Sequence, residues 1–110
     1  MCSLFGLIDY SNALSTRQKN KILTVLSHEC ECRGTDATGI AYNYAGALRI
    51  FKRPLPAHKV RFHIPNSVNV VMGHTRMATQ GLAELNFNNH PFPGKLPHAK
   101  FALAHNGVLW

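Results

Sequence analysis

The apolar positions of this chain fall into short blocks, and the first two predict a strand followed by a helix. Residues 2–9 form an apolar run bounded by polar turn residues, which indicates a buried strand. Ser15 is followed three residues later by Gln18, the spacing of a helix-capping box. Behind this box, one helical face carries the apolar residues Ile22, Leu23, Val25, Leu26 and Cys30. We expect the helix to stop at Gly34.

The second half of the chain predicts more strands and one long loop. Residues 38–44 and 47–52 are short apolar segments on either side of Ala45-Gly46, which is the pattern of a β-hairpin. The valine-rich residues 67–74 predict a buried strand. Gly, Pro and Asn residues predict a loop over residues 79–100, and residues 101–104 predict a last short strand.

Composition limits the class of protein. A chain of 110 residues is one domain or part of one, and its 45% hydrophobic content excludes a disordered segment. It contains no apolar run of ~18 residues that could span a membrane. Residues 1–9 lack the basic start and small-residue cleavage site of a signal peptide. We therefore expect a soluble, cytoplasmic protein.

The net charge of +7 does not identify a nucleic-acid partner. The twelve Lys and Arg residues are scattered along the chain, whereas a nucleic-acid binder would require them to cluster on one face. We read them as the solvated surface of a basic domain and expect no nucleic-acid partner.

The cysteines predict neither disulfides nor a metal site. Their number is odd, and they are Cys2, Cys30 and Cys32. The cluster His28-Glu29-Cys30-Glu31-Cys32 matches no common zinc spacing, so we read it as a helix end. We expect no metal and no cofactor.

Cys2 has chemistry of its own once Met1 is removed. It then carries a thiol and a free α-amine on one residue. An α-amine has a pKa near ~8, so it can act as the base for the adjacent thiol without a His or Asp partner. A cysteine at position 2 is weak evidence when it stands alone.

Three further segments combine glycines with polar side chains at the ends of predicted elements. In residues 33–39 the two glycines indicate a tight turn, which an Arg33–Asp36 ion pair would brace. Residues 73–81 lie at the end of the predicted valine-rich strand. Arg76 in this segment either binds a carboxylate with its planar guanidinium or only braces the loop. Asn106-Gly107 is either an ordinary turn or a pair of donors for an oxyanion hole.

In their order along the chain these segments resemble the class II glutamine amidotransferases, which are N-terminal nucleophile hydrolases. The resemblance covers nearly the whole chain and rests on five motifs: Met1-Cys2-Ser3-Leu4-Phe5-Gly6, Arg33-Gly34-Thr35-Asp36-Ala37-Thr38-Gly39-Ile40, Gly73-His74-Thr75-Arg76-Met77-Ala78-Thr79-Gln80-Gly81, Asn89-His90-Pro91 and His105-Asn106-Gly107. Two positions depart from the pattern. Ser3 replaces a usual glycine, and Met77 stands where some members carry a tryptophan.

The resemblance implies roles for individual residues. Cys2 would be the nucleophile, and Asn106 and Gly107 would form the oxyanion hole. The residues implied to bind glutamine are Arg76, Thr79, Gln80 and His90. Those implied to support the site structurally are Arg33, Gly34 and Asp36.

The implied fold is α+β, the αββα four-layer sandwich of the family, with residues 1–110 as the first half of the domain. The implied reaction is hydrolysis of the glutamine side-chain amide, with ammonia passed to an acceptor or synthase domain outside this chain. An inactive fragment that only binds a partner is the alternative. We expect the 110 residues alone to be inactive, since the amine-binding Asp of the family would follow Trp110. We also expect self-association through exposed Phe101, Leu103 and Leu109.

Overall fold

The computed structural model describes residues 2–78 and 82–106. In that part of the chain, the helix α1 (Thr16–Cys30) accompanies strands β1 (Ser3–Ile8), β2 (Ala37–Tyr44), β3 (Ala47–Arg53), β4 (Val70–Arg76), β5 (Phe92–Leu96) and β6 (Ala99–Leu103). The first four strands form an antiparallel sheet in the order β1-β4-β2-β3, and β5 and β6 form a separate two-stranded sheet. The fold class is α+β, as predicted. No helix in the described ranges is long and apolar enough to cross a membrane.

The predicted capping box begins α1. The Gln18 backbone N–H donates to the Ser15 hydroxyl at 3.1 Å, and the Ser15 N–H donates to the Gln18 side chain at 2.8 Å. These reciprocal bonds satisfy two amides that the first helical turn would otherwise leave open. The α-helix ends at Cys30, four residues before the predicted stop, and a 3₁₀ turn (Glu31–Arg33) then runs up to Gly34.

A buried lysine ties the end of β1 to the start of β4. The ammonium of Lys19, which is 1% exposed, donates to the carbonyl oxygen of Val68 at 2.9 Å and to Asn69 Oδ1 at 3.1 Å. It also lies 3.4 Å from Asp9 Oδ2. The backbone N–H of Leu14 is the main cause of a lowered pKa at Asp9, and Lys19 adds to it. The lysine charge is therefore buried together with the groups that satisfy it.

The hydrophobic core lies on one face of the four-stranded sheet, beneath α1 and the connection before β4. Its buried members are Leu23, Ile40, Val60, Phe62, Ile64, Val68 and Val71. Successive strand residues point to opposite faces, so Phe5 and Leu7 pack on this core while Leu4 and Ile8 are exposed on the second face. By the same alternation His74 and Arg76 of β4 also lie on the second face.

One predicted strand has different bounds in the structure, and the predicted hairpin is confirmed. The predicted strand 67–74 begins only at Val70, because Ser67 has a φ of 72° and so belongs to a turn. It continues instead to Arg76. The hairpin of β2 and β3 is confirmed, with Ala45 and Gly46 both at positive φ in its turn.

The predicted loop over residues 79–100 is wrong for its last part, because β5 and the first residues of β6 form a hairpin there. Pro93 and Gly94, which argued against a strand, are both accommodated. Within the described residues β5 pairs only with β6, so a proline without an N–H is tolerated at this edge. Gly94 faces the ring of Phe101, and a Cβ there would lie 2.2 Å from a ring carbon. Phe101 and Leu103 are 41% and 50% exposed, as expected, whereas Leu109 lies outside the described residues.

The docking of α1 on the sheet predicts an effect on stability. Leu23 is fully buried, so Leu23→Ala should lower the free energy of unfolding by about 2–5 kcal/mol through lost burial and a residual cavity. Val25 on the same helix is 52% exposed, and Val25→Ala should change stability by less than about 0.5 kcal/mol. Urea unfolding followed by circular dichroism measures both. Equal losses in the two variants would contradict docking through Leu23.

Candidate active site

Strand β4 brings the start of β1 and the start of β2 to one edge of the sheet. Ser3 pairs with Thr75, and Ala37 pairs with Arg76. Cys2, one residue before this pairing, is 8% exposed, and its sulfur lies 3.9 Å from the carbonyl oxygen of Met77. The thiol is therefore held beside the segment that leaves β4.

The segment after β6 returns to the same edge. The backbone N–H of Cys2 donates to Asn106 Oδ1 at 3.3 Å, although the two residues are 104 positions apart. Two residues predicted to be catalytic are thus brought together. The third, Gly107, lies outside the described residues.

Arg76 is oriented by a buried asparagine. Arg76 is 5% exposed, and its guanidinium donates from Nη1 to Asn89 Oδ1 at 2.8 Å. Asn89 is fully buried, and its Nδ2 donates to the Ala83 carbonyl at 2.8 Å and to Asn86 Oδ1 at 3.1 Å. These bonds aim the arginine fork in one direction. Thr79 and Gln80, predicted to bind substrate with it, lie outside the described residues.

The turn between α1 and β2 packs directly against the end of β4. A Cβ at Gly34 would lie 2.3 Å from the carbonyl carbon of Thr75, so this position accepts only glycine without a backbone shift. The Asp36 N–H donates to the carbonyl of Arg76 at 2.9 Å, and its carboxylate accepts the Ala78 N–H at 2.7 Å. Gly34 and Asp36 thus both contact the end of β4.

The proposed Arg33–Asp36 ion pair is wrong. Arg33 is exposed, and the two ion pairs found between described residues involve Lys19 with Asp9 and His58 with Glu31. Asp36 binds the backbone of residue 78 instead. A short carboxylate is satisfied as well by one nearby N–H as by a flexible, hydrated arginine.

The ring of His90 is part of an aromatic stack. Its ring stacks on His74 with centroids 4.0 Å apart and contacts Phe92 at 4.3 Å. His90 Nδ1 accepts the backbone N–H of His105 at 3.1 Å, and His74 Nε2 lies 3.0 Å from the carbonyl oxygen of His105. Burial, helped by the charge of Arg76, lowers the pKa of His74 to about 4. Burial also lowers the pKa of His90 to about 4, with His74 and Arg76 adding to the effect.

Lys52 fastens the loop that carries His90 to the sheet. Its ammonium donates to the carbonyl oxygens of Asn89 and Pro91 at 2.6 and 3.1 Å, and burial lowers its pKa. Gly39, the neighbour of Lys52 across the strands, leaves room for the loop, since a Cβ there would lie 2.3 Å from the carbonyl oxygen of His90.

Sequence reasoning assigned no role to Asn89, His74 and Lys52. His74 lies in the same motif as Arg76, and Asn89 lies in the motif of His90. The sequence does not show that these two side chains are buried, so it gave no reason to assign them a role. Lys52 had no local signal, because a lysine in a hairpin strand is ordinarily solvated.

The other cysteines lie at the end of α1, as predicted. Cys30 is partly buried and Cys32 is exposed, and both are free thiols. Among the described residues, no group of three or more His, Cys, Asp or Glu side chains is arranged to hold a metal ion.

Several known proteins that are similar to this chain share one name. The chain is 34% identical over 112 residues to a glutamine–fructose-6-phosphate aminotransferase (isomerizing) of Staphylococcus epidermidis, and 35% identical over 112 residues to that of Staphylococcus aureus. It is 33% identical over 111 residues to that of Chlamydia trachomatis. Each alignment covers 99% of this chain and 17% of the relative, so the chain spans about one sixth of their length. No family model matches the chain, and no solved structure matches it.

The lowered pKa values of His74 and His90 predict a pH dependence of stability. Between pH 6.5 and about 4 the unfolded chain takes up protons on these rings that the folded chain does not, so the free energy of unfolding should decrease as the pH falls through this window. His74→Gln removes one of the two titrating rings and should reduce this slope by up to ~1.4 kcal/mol per pH unit. Urea unfolding at several pH values measures the slope. An unchanged slope in the variant would show that His74 is protonated in the folded protein.

Proposed function

We propose, since this chain belongs to the class II glutamine amidotransferases, that it carries the glutaminase site of its protein and hydrolyses the side-chain amide of glutamine with Cys2 as the nucleophile. One observation carries the proposal. Cys2 and Asn106, from opposite ends of the chain, meet at 3.3 Å on the sheet edge that also holds Arg76. This edge combines a thiol, an amide side chain and a carboxylate-binding cation.

The reaction is an acyl transfer in two steps. With Met1 removed, the α-amine of Cys2 takes the proton of its own thiol, and the thiolate attacks the amide carbon of glutamine. The C–N bond breaks, the leaving nitrogen takes the proton and departs as ammonia, and a thioester remains on Cys2. Water then adds to the thioester, releases glutamate and restores the thiol.

Asn106 serves the charged intermediate. As its Oδ1 accepts from the Cys2 nitrogen, the amide group of the same side chain is held next to the nucleophile. Its Nδ2–H groups are donors for the oxyanion that forms on the substrate carbonyl, together with the N–H of Gly107. Loss of one such donor typically lowers the rate ~10²–10³-fold.

Arg76 recognises the α-carboxylate of glutamine. The guanidinium is a planar fork of N–H donors whose geometry matches a carboxylate, and the bond from Nη1 to Asn89 helps to orient it. Thr79 and Gln80 complete this part of the proposed site. The requirement for an α-carboxylate would select free glutamine over a glutamine inside a peptide.

The proposal also extends to the complete fold and to the acceptor of ammonia. The four-stranded sheet with α1 is one sheet and one helix layer of the αββα sandwich, and the β5–β6 hairpin belongs to the second sheet. Ammonia passes to an acceptor domain outside residues 1–110, in a cytoplasmic protein. The relatives are named for fructose 6-phosphate, so this sugar phosphate is the first acceptor to assay.

The three cysteines allow a direct test of the nucleophile. In the full-length protein from which Met1 has been removed, as checked by mass spectrometry, Cys2→Ala should reduce ammonia release from glutamine to background. The control is the double variant Cys30→Ala with Cys32→Ala, which should keep most of the activity because these thiols lie at the end of α1. Turnover that survives in Cys2→Ala would overturn the proposal.

The carboxylate role of Arg76 is tested by changing both the residue and the substrate. Arg76→Lys should raise KM for glutamine by about tenfold or more, because a charged hydrogen bond contributes about 1.5–3 kcal/mol and lysine cannot form two in parallel. Arg49→Lys, at an exposed position of β3, is the control and should leave KM unchanged. With 4-aminobutanamide, which lacks the α-carboxylate, the wild type and Arg76→Lys should be equally poor. If Arg76→Lys keeps the wild-type KM for glutamine, Arg76 is only a brace.

A further inference from the structure

His105, the residue before Asn106, has both of its backbone polar groups bound by histidine side chains. Its N–H donates to His90 Nδ1 at 3.1 Å, and its carbonyl oxygen lies 3.0 Å from His74 Nε2. The two rings that hold it are stacked with an interplanar angle of 13°. The two backbone polar groups of His105 are therefore each bound by one ring of the stacked His74–His90 pair.

These bonds determine the tautomer of each ring. A carbonyl oxygen can only accept, so His74 Nε2 carries the proton. His90 Nδ1 accepts an N–H, so in the neutral ring the proton is on Nε2. Both rings are thus neutral Nε2–H imidazoles, and the low pKa values of about 4 agree with this state near neutral pH.

The tautomer of His74 leaves a buried acceptor without a partner. His74 is fully buried, and its Nδ1 has no hydrogen-bond partner among the described residues. An unsatisfied buried acceptor is destabilising. A phenylalanine would pack in the same space without that penalty, so what the imidazole contributes here is the Nε2–H that it donates to His105.

The clamped residue is next to the proposed oxyanion donor. Asn106 follows His105 directly and contacts the nitrogen of Cys2. Asn106 is exposed, so packing around its own side chain does not determine its place. The backbone of residue 105 is what positions it, and only the two histidines bind that backbone within the described residues.

We infer that His74 and His90 are positioning residues that hold His105 by its N–H and C=O, and thereby keep Asn106 against Cys2. The inference deepens the proposed function and rests on it for the role of Asn106. His90 acts through His105, and its ring is not required to touch glutamine.

The test pairs a disruptive and a conservative variant at each ring in the full-length protein. Phe at either position keeps an aromatic ring but removes the hydrogen bond. Gln at position 74 offers an N–H near the place of Nε2, and Asn at position 90 offers an oxygen near the place of Nδ1. We expect His74→Phe and His90→Phe to lower kcat by about tenfold or more with a smaller change in KM, since Arg76 is untouched, and His74→Gln and His90→Asn to recover most of the rate. Wild-type kcat in both Phe variants would overturn the inference.

Two measurements do not depend on turnover, and the first of them needs no variant. Two-bond ¹H–¹⁵N spectra of the protein labelled with ¹⁵N-histidine should show both rings as neutral Nε2–H tautomers, and an Nδ1–H tautomer at either ring would contradict the clamp. Hydrogen exchange of the His105 amide should be about tenfold or more faster in His90→Phe than in His90→Asn. Equal exchange in the two variants would likewise contradict it. If the wild type releases no ammonia from glutamine, the proposed function fails, and these two measurements still decide whether the clamp exists.

Discussion

The pairing of β4 with a strand on each side is the constraint on which the rest of the structure depends. Because β1 and β2 both run antiparallel to β4, their first residues meet at the end of β4. Chain segments that are far apart in sequence are thereby brought to one edge of the sheet. The long loop and the segment after β6 then need only reach this edge to complete the site.

Dense hydrogen bonding maintains this edge, where polar residues are buried in unusual number. Thr38, His74, Thr75, Arg76 and Asn89 are all at most 5% exposed. A buried polar group without a partner costs about 1–3 kcal/mol, so the hydrogen bonds made by these side chains stabilise the fold. Thr75 shows the link, since its hydroxyl donates to the carbonyl of Cys30 at 2.9 Å and so joins the end of α1 to β4.

Much of the fold was predictable because the hydrophobic period and the local turn chemistry agree. The capping box at Ser15, the Ala45-Gly46 hairpin and the strand that follows Cys2 all form where expected. The β5–β6 hairpin was missed because Pro93 and Gly94 are poor strand formers that become acceptable only at an edge opposite Phe101. That information lies in the tertiary contact and is absent from the local sequence.

Motif order alone singled out Cys2, Arg76 and Asn106 as candidates, whereas the contacts that support them in the structure were not predictable. The arrangement behind them depends on burial: Asn89 orients Arg76, and Lys52 binds two carbonyls of the loop. The chain has several lysines and several loop asparagines, and only burial in the folded structure shows that Asn89 and Lys52 are the ones that make these supporting contacts. The predicted Arg33–Asp36 ion pair does not form, and the Asp36 carboxylate accepts the backbone N–H of Ala78 instead.

The two-residue period of β1 determines the face of the sheet to which the Cys2 side chain points. Phe5 and Leu7 point toward the core, so residues at odd separation from them point to the second face, and Cys2 is three residues before Phe5. Inserting or deleting one residue between Cys2 and Phe5 would turn the thiol toward α1, because the packing of Phe5 against Gly73 fixes the register. The number of residues between Cys2 and Phe5 is therefore constrained by the packing of Phe5. The alternation along β1 thus places the side chain of Cys2 on the second face of the sheet, the face on which His74 and Arg76 also lie.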